Sequence, residues 1–465
     1  MRVKDWGKKS GYFWLPENPN HKIPGTLSIA DGGKIELEVV GLFNEGIEEA
    51  LNDNDDLTRI VGHIEKDGLI TLDDCFYTNK NISLTGGITK SLVHVNRVFS
   101  GVAYEKNEYI SFHSVSFSVE CMDEWIGISG IKVMTNLENK TSLISYSPPD
   151  SLLYPLNNGM NLEISFAYTI PLGLQKTTEA KVTQKTYFRL SSDTLRPLAD
   201  FTAIIYRLTN FLCFALDTTV SIKGLTAISN EIVRDIGNDK TLPVQISIYY
   251  QSNPFSEKEP DVNWYDMIFS FATIKDNAGE IFNKWIDAYD SIAPTLGLYF
   301  STKIGAYKHL EGEFLALVQG LETYHRRISN ETLMSNKEYS NLVDSIMENC
   351  PKENSEWLSG RLRYGNEISL SSRIKKTIEP FGKYIGSNSC RKKLIKKIVD
   401  TRNYLTHYDE ALKEKAASGG ELWILCIKME AIFQLHFLKV IGFTEEEIDS
   451  VAKNSHPLKR KLDEK

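Results

Sequence analysis

The hydrophobic period changes along the chain, and this change constrains the fold more than any other feature. Residues 1–190 contain short runs in which apolar and polar residues alternate, as at 34–40 and 114–119. Alternation with a period of two is typical of half-buried antiparallel strands. From about residue 306 the apolar residues recur every three to four positions, which predicts helices. We therefore expect an α+β multidomain chain, with a β-rich N-terminal region followed by an all-α helical bundle.

The segment between these two regions combines both patterns. Residues 196–216 form a long apolar stretch with a proline in its first turn, which predicts a helix. Two strand-like pieces follow at 219–225 and 244–250. The predicted domains are, in chain order, a β-rich domain at 1–190, its mixed continuation at 191–305, a helical bundle at 306–453 and a flexible tail at 454–465.

Several helices are predicted in the C-terminal region, and short polar segments link them. Short links between helices of this length favour an antiparallel bundle. The predicted helices are 307–328, 331–349, 367–379, 388–409, 420–440 and 445–453.

The two halves of the chain differ in charge. The formal net charge is −8, from 53 Lys and Arg against 61 Asp and Glu. Residues 306–465 carry 26 basic against 23 acidic residues, a net of +3, whereas residues 1–305 carry 27 against 38, a net of −11. Acidic residues are concentrated in segments such as 45–56. Only the C-terminal half therefore suits a polyanionic partner, and the acidic half is a candidate restraint or sensor.

Composition argues against metal, cofactor and membrane functions. The 6 cysteines are scattered and form no Cys-x-x-Cys pair, so we expect neither a structural zinc nor any other cofactor. No apolar run free of charged residues approaches the ~18 residues of a membrane span, and the N-terminus lacks the apolar core of a signal peptide. We therefore expect a cytoplasmic protein that does not contact a membrane.

The residues that can carry chemistry lie on the predicted helix 388–409. At about 100° per residue, one polar arc of this helix lies beside an apolar stripe formed by Leu394, Ile398 and Leu405. An arginine can neutralise a phosphate, and a histidine can move a proton near neutral pH. The polar arc consists of Arg402, Asn403, Thr406 and His407.

We predict Arg402, His407 and Asn403 as catalytic residues. Asn403 precedes His407 by four positions, so its amide is expected to orient the imidazole. The spacing of an arginine and a histidine carries little information by itself. A surface arginine and a histidine on a helix face therefore remain the alternative interpretation of this pair.

Further residues near Arg402 and His407, which we call the motif, are candidates for contacts with a substrate. A basic run at 391–397 lies one to three turns upstream, and either a solvated face or a track for phosphates explains it. On the first helix of the bundle, Arg326 follows Glu322 by four positions, so a simple helix salt bridge is the alternative there. The predicted substrate-binding residues are His325, Arg326, Lys396, Lys397 and Thr406.

At this point the chain resembles a known family. Residues 306–450 resemble the HEPN superfamily of helical domains, whose ribonucleases carry an arginine, four to six residues and then a histidine, here Arg402 and His407. Segment 314–327 resembles the opening helix of the ApeA-like HEPN branch. Segment 116–125 resembles the N-terminal domain found with that branch, so the resemblance covers most of the chain.

The resemblance implies a metal-independent RNA endonuclease of bacterial anti-phage defence, of the abortive-infection type. It implies a homodimer in which both motifs line one cleft. His407 would then move the proton of the ribose 2′-hydroxyl or of the departing 5′-oxygen, and Arg402 would stabilise the phosphate. The implied products are a 2′,3′-cyclic phosphate and a 5′-hydroxyl. The implied partners are RNA, with transfer RNA as one candidate, and a phage-derived trigger.

Two other functions stay open at this point. A HEPN module without catalysis would only bind RNA or protein, or dimerise. A metal-dependent nuclease is disfavoured because the sequence has no carboxylate cluster suited to magnesium.

Overall fold

The computed structural model divides the chain into two compact units, Met1–Ile286 and Asp287–Lys465. This division falls earlier than the predicted boundary at residue 306. The acidic segment 45–56 lies outside the described residues except for Asp55 and Asp56. The structure describes residues 1–43, 55–82, 87–171, 178–238, 240–305 and 307–464.

The first unit is built on antiparallel strands, as the alternating pattern predicted. In strand 35–40 buried residues alternate with more exposed ones. The strands are β1 Lys8–Trp14, β2 Ile23–Ile29, β3 Ile35–Val40, β4 Asp56–Ile64, β5 Gly68–Asn81, β6 Lys90–Ser100, β7 Ser111–Val119, β8 Ile131–Asn136, β9 Thr141–Tyr146, β10 Leu152–Pro155, β11 Asn161–Thr169, β12 Thr183–Pro197, β13 Ile222–Asp235 and β14 Thr241–Tyr250.

These strands form one 12-stranded sheet and a separate hairpin of β8 and β9. The order in the sheet is β10-β11-β12-β7-β13-β14-β6-β3-β2-β1-β4-β5. Because β6 also pairs with β5, strands β1 to β6 close into a ring. The remaining strands extend the sheet from β6 through β14.

One aromatic side chain fills part of the closed ring, and two glycines make room for it. Phe13 on β1 is fully buried. A Cβ atom built at Gly62 would lie 2.6 Å from the Phe13 ring, and one built at Gly25 would lie 3.1 Å from it. Both distances are too short for ordinary van der Waals contact, so a side chain at Gly62 would force the phenyl group of Phe13 to move.

The sheet of the first unit continues beyond residue 190, so the predicted boundary there is corrected. Strand β12 runs through this position, and β13 and β14 join the same sheet. The alternating pattern could not show this, because pairing between strands distant in sequence is a property of the tertiary fold.

The predicted helix 196–216 is present as Leu198–Ala215, with Pro197 as its N-cap. It is long and apolar enough to cross a membrane by length and composition, but 67% of it is buried within the structure, as in a core helix. Within the first unit its Phe211 and Phe214 contact the ring of Trp285.

The helices, numbered along the chain, include all six predicted for the bundle. The first three lie wholly in the first unit. Their bounds are α1 Met122–Ile126, α2 Leu198–Ala215, α3 Phe271–Ile274, α4 Ala278–Lys303, α5 Leu310–Ile328, α6 Asn336–Glu348, α7 Ser355–Leu362, α8 Leu370–Ile378, α9 Gly382–Ile385, α10 Asn388–His407, α11 Glu410–Lys413, α12 Gly419–Val440, α13 Glu445–Asn454 and α14 His456–Asp463.

The predicted flexible tail 454–465 is also corrected, because most of it forms α14. Leu458 is fully buried. Lys461 is 6% exposed, and its Nζ lies 3.0 Å from the Glu430 carboxylate on α12. The basic composition of the segment indicated a solvated end, but its apolar and ion-pair contacts hold it against the bundle.

We expect Gly62→Ala to destabilise the first unit by about 1–3 kcal/mol, because the added methyl group overlaps the phenyl group of Phe13 inside the closed ring of strands. Denaturant unfolding followed by circular dichroism measures the effect.

Combining Gly62→Ala with Phe13→Leu provides the control. The smaller side chain should accommodate the new methyl group, so the double variant should lose less stability than the sum of the two single variants. Additive losses would show that the two positions do not compete for space.

Candidate functional site

The predicted site lies at the C-terminal end of α10. The Ser387 side chain caps the start of this helix by accepting a hydrogen bond from the backbone N–H of Cys390. The helix was predicted to reach residue 409, but it ends at His407. Tyr408 ends it by adopting a left-handed conformation with φ 51°, and its N–H bonds to the Tyr404 carbonyl. His407 is therefore the last helical residue.

The buried face of α10 differs in part from the predicted apolar stripe. Ile398 is fully buried as expected. Leu394 and Leu405, however, are only half-buried, and Ile395 and Thr401 are buried in their place. The Thr401 hydroxyl accepts a hydrogen bond from the Ala417 N–H at 2.9 Å, which explains why a polar residue can lie on this face.

Arg402 is half-buried and is held by its neighbour. Its Nη1 donates to the Asn403 Oδ1 at 3.1 Å. Among residues 307–464, no carboxylate forms an ion pair with Arg402. The guanidinium therefore keeps donors that can bind phosphate oxygens in a bidentate manner.

Asn403 contacts Arg402 and not His407 in the described part of the chain, so its predicted orienting role is corrected. An amide four residues before an imidazole can reach it, but here the carboxamide oxygen accepts from the guanidinium. The His407 side chain is exposed. Thr406 is exposed as well, and its Oγ1 donates to the Arg402 carbonyl at 2.7 Å.

The predicted RNA contact of His325 is corrected, because this side chain is only 3% exposed. The Arg373 Nη1 on α8 lies 3.3 Å from the His325 Nδ1. Burial, followed by the nearby Arg373 guanidinium, lowers the pKa of His325. A neutral imidazole that accepts from an arginine is a structural contact inside the bundle.

Arg326 remains at the surface, but carboxylates occupy it. Its guanidinium lies 3.0 Å from Glu322 and 2.6 Å from Glu367. The helix salt bridge that we considered as the alternative is therefore present. Binding a phosphate at Arg326 would require breaking two ion pairs.

Of the two lysines predicted to bind substrate, Lys396 is exposed, whereas Lys397 is half-buried and lies 2.9 Å from Glu421 on α12. Two further lysines share a groove of about 350 Å³ with Lys396, between α8 and α10. Lys392 belongs to the basic run, but nothing in the sequence indicated that Lys375 lies beside it. The α8–α10 groove is lined by Ser371, Lys375, Lys392, Ile395, Lys396, Val399 and Asp400.

A second groove, of about 560 Å³, lies on the other side of the same helix, between α10 and α12. It shares Lys396 and Asp400 with the first groove. The α10–α12 groove is lined by Lys393, Leu394, Lys396, Lys397, Asp400, Lys415, Glu421, Ile424 and Leu425.

The donor set near the motif consists of a guanidinium, an amide, a hydroxyl and an imidazole. In the described ranges no group of three His, Cys, Asp or Glu side chains could hold a metal ion. The arrangement can bind a phosphate and transfer a proton.

A second histidine of the bundle is buried between aromatic rings. His436 on α12 has ring-centroid distances of 4.5 Å to Tyr324 and 4.8 Å to Phe381. Its Nε2 lies 2.8 Å from the Thr377 carbonyl, so this nitrogen carries the proton and donates. Burial lowers the pKa of His436 to about 4.

Comparison with protein-family models identifies both parts of the chain. A model for ApeA N-terminal domain 1 matches residues 8–285. A model for Apea-like HEPN matches residues 315–447, which include α10. Searches of curated proteins and of solved structures find no match.

We expect the bundle to lose stability in acid because of His436. Its folded-state pKa lies below the ordinary value, so its contribution is complete above about pH 6.5 and declines as the pH falls towards about 4. The loss from this residue should reach about 3 kcal/mol. Urea unfolding between pH 7 and pH 4, compared between the wild type and His436→Gln, measures it.

The free energy of unfolding of His436→Gln should fall less between pH 7 and pH 4 than that of the wild type. Replacing the exposed His309 by glutamine should leave the pH dependence unchanged. A loss of stability in acid that is as large in His436→Gln as in the wild type would show that His436 does not cause it.

Proposed function

The chain belongs to the family that joins an ApeA N-terminal domain to an Apea-like HEPN domain, and from this premise we propose that it is an RNA endonuclease that uses Arg402 and His407. The family has a nuclease-type role in anti-phage defence. We further propose that cleavage needs no metal ion and serves abortive infection.

One observation carries the proposal. Arg402, which has no carboxylate partner among residues 307–464, lies on the last turns of the helix that ends at the exposed His407. His407 follows Arg402 by five positions, which correspond to about 7.5 Å along the helix axis. A phosphate that accepts hydrogen bonds from the guanidinium would therefore lie near the imidazole.

The proposed reaction is an internal transfer on RNA. The neutral His407 imidazole takes the proton of the ribose 2′-hydroxyl, and the 2′-oxygen attacks the adjacent phosphorus. The bond from phosphorus to the 5′-oxygen breaks, and a protonated imidazole supplies the proton that this oxygen takes up. Arg402 stabilises the negative charge that develops on the phosphate oxygens. The products are a 2′,3′-cyclic phosphate and a 5′-hydroxyl.

A base and an acid acting in one step require two proton-transfer groups, and the motif supplies one imidazole. Two other histidines of the bundle, His325 and His436, are buried in structural contacts. We therefore propose a homodimer in which His407 of the partner subunit provides the second imidazole. A two-fold axis brings identical surfaces together, so the two motifs can meet across it.

Asn403 is a positioning residue in this proposal. Its Oδ1 accepts from the Arg402 Nη1, which restricts the guanidinium to fewer rotamers. Its effect on catalysis would then pass through the arginine, and not through the imidazole as the helical spacing predicted.

Activity of this kind must be restrained, because an unregulated ribonuclease would damage its own cell. We propose that a phage-derived trigger releases the activity and that the acidic residues 1–305 act as its sensor. The opposite net charges of the two halves, −11 and +3, support this division of roles.

We expect Arg402→Ala and His407→Ala to lose RNA cleavage by about 10²-fold to 10⁴-fold each, because each removes a charge or a proton carrier from the transition state. The measurement is cleavage of RNA in phage-challenged cells, where the proposed trigger is present, and in extracts of those cells, with sequencing of the RNA ends. Wild-type cleavage should survive excess EDTA and leave cyclic phosphates.

Arg361→Ala and His309→Ala serve as matched controls, since both residues are exposed and lie away from α10, Arg361 on α7 and His309 just before α5. They should cleave RNA as the wild type does. Cleavage and protection that persist in both motif variants would instead favour the non-catalytic binding module, and cleavage abolished by EDTA would favour a metal-dependent nuclease.

A further inference from the structure

Helix α10 separates the two basic grooves of the bundle. The α8–α10 groove has three lysines and one aspartate, and the α10–α12 groove has four lysines and two acids. Each lining therefore has the same formal net charge of +2. Both grooves therefore have a charge that suits a polyanion, and they are distinguished by their position relative to Arg402 and His407.

The residues that α10 contributes to the α8–α10 groove lie on the same side of the helix as the motif. With Arg402 at 0°, these groove residues lie between about 20° and 160°, and the motif lies between 0° and about 140°. The residues that only the α10–α12 groove uses lie between about 180° and 280°. From Lys392 to Val399 and on to Arg402 and Asn403, the α8–α10 stripe continues at intervals of three and four residues.

Helices α8 and α10 supply lysines to this groove from two sides. Ser371 and Lys375 are four positions apart on α8 and therefore share one face. The Lys375 side chain is 64% exposed, and its Nζ lies 3.7 Å from the Glu379 carboxylate, an exposed pair weak enough for a phosphate to replace. Lys392 and Lys396 are exposed on α10, and the buried Ile395 lies between them in the lining. Flexible ammonium groups along an apolar groove floor can contact phosphates, and such contacts do not depend on the sequence of the RNA.

We propose that the α8–α10 groove binds the sugar-phosphate backbone of an unpaired RNA strand and leads it to Arg402 and His407. This inference rests on the proposed function, because RNA is the ligand in both. The groove volume of about 350 Å³ is at the lower end of the range for small-molecule sites, so it admits a single strand and not a duplex. Lys375, Lys392 and Lys396 are its phosphate contacts.

The length of the stripe fits a short stretch of strand. Ten positions separate Lys392 from Arg402, which corresponds to about 15 Å along the helix axis. A stacked strand advances about 3.4 Å per nucleotide, so the stripe spans roughly four nucleotides. The structure thus assigns the strand on one side of the scissile phosphate to the lysines and the scissile phosphate itself to the arginine.

The test is binding of a fluorescent single-stranded RNA to the full chain carrying His407→Ala, which prevents cleavage, over a range of salt concentrations. In this background Lys375→Ala with Lys392→Ala should raise Kd about tenfold at 0.15 M salt and make the slope of log K against log salt shallower by about 1.4. Arginine at both positions should restore the Kd and the slope.

Lys337→Ala with Lys352→Ala is the matched control, because it removes the same charge from exposed positions outside both grooves. This pair should bind RNA as the parent does. An unchanged slope in the Lys375→Ala and Lys392→Ala pair would overturn the proposal. A larger loss in Lys393→Ala with Lys415→Ala would also overturn it, because the strand would then lie in the α10–α12 groove.

Failure of this inference can be distinguished from failure of the proposed function. If Arg402 and His407 prove essential for cleavage while the Lys375 and Lys392 pair cleaves and binds as the wild type does, the groove assignment is wrong and the nuclease stands. If the groove pair loses binding with the predicted slope but the wild type cleaves no RNA in phage-challenged cells, the groove is a binding site and the nuclease proposal is wrong.

Discussion

The burial of one face of α10 determines the properties of the whole site. Ile395, Ile398 and Thr401 fix this face against the bundle, and the hydrogen bond from Ala417 to Thr401 allows a polar residue among the apolar ones. Once that face is fixed, the rotation of the helix is fixed as well. The same rotation then leaves His407 exposed and places Arg402 half-buried at the edge of the core.

The arginines of the bundle show how the same side chain acquires different roles. Arg326 is bound by Glu322 and Glu367, and the buried Arg373 also lies near Glu367. These guanidinium groups already have counter-charges, and Glu367, which precedes α8, connects Arg326 of α5 with Arg373 of α8. Arg402 instead donates to the neutral amide of Asn403 and forms no ion pair with a carboxylate among residues 307–464. Its charge therefore remains available to an anionic ligand.

Properties that depend on residues close together in the chain could be predicted from the sequence. The change of hydrophobic period predicted strands in the first unit and helices in the second, and the helix predicted at 388–409 is present as Asn388–His407. It misjudged elements whose surroundings come from distant residues. The basic end of the chain was predicted to be flexible, but Lys461 reaches Glu430 on another helix. The β-rich part predicted to end at residue 190 extends further, because β13 and β14 return to the same sheet.

At the candidate site, helical spacing alone predicted that an arginine, an asparagine and a histidine share one polar arc, because this spacing is set by the local backbone. The packing of the helices was needed to show that His325 is buried beside Arg373, that Asn403 contacts the arginine and that Lys375 lies beside Lys392. These outcomes depend on which helices pack together. The periodicity of one helix records that it has a buried face, but it does not record which side chains cover that face.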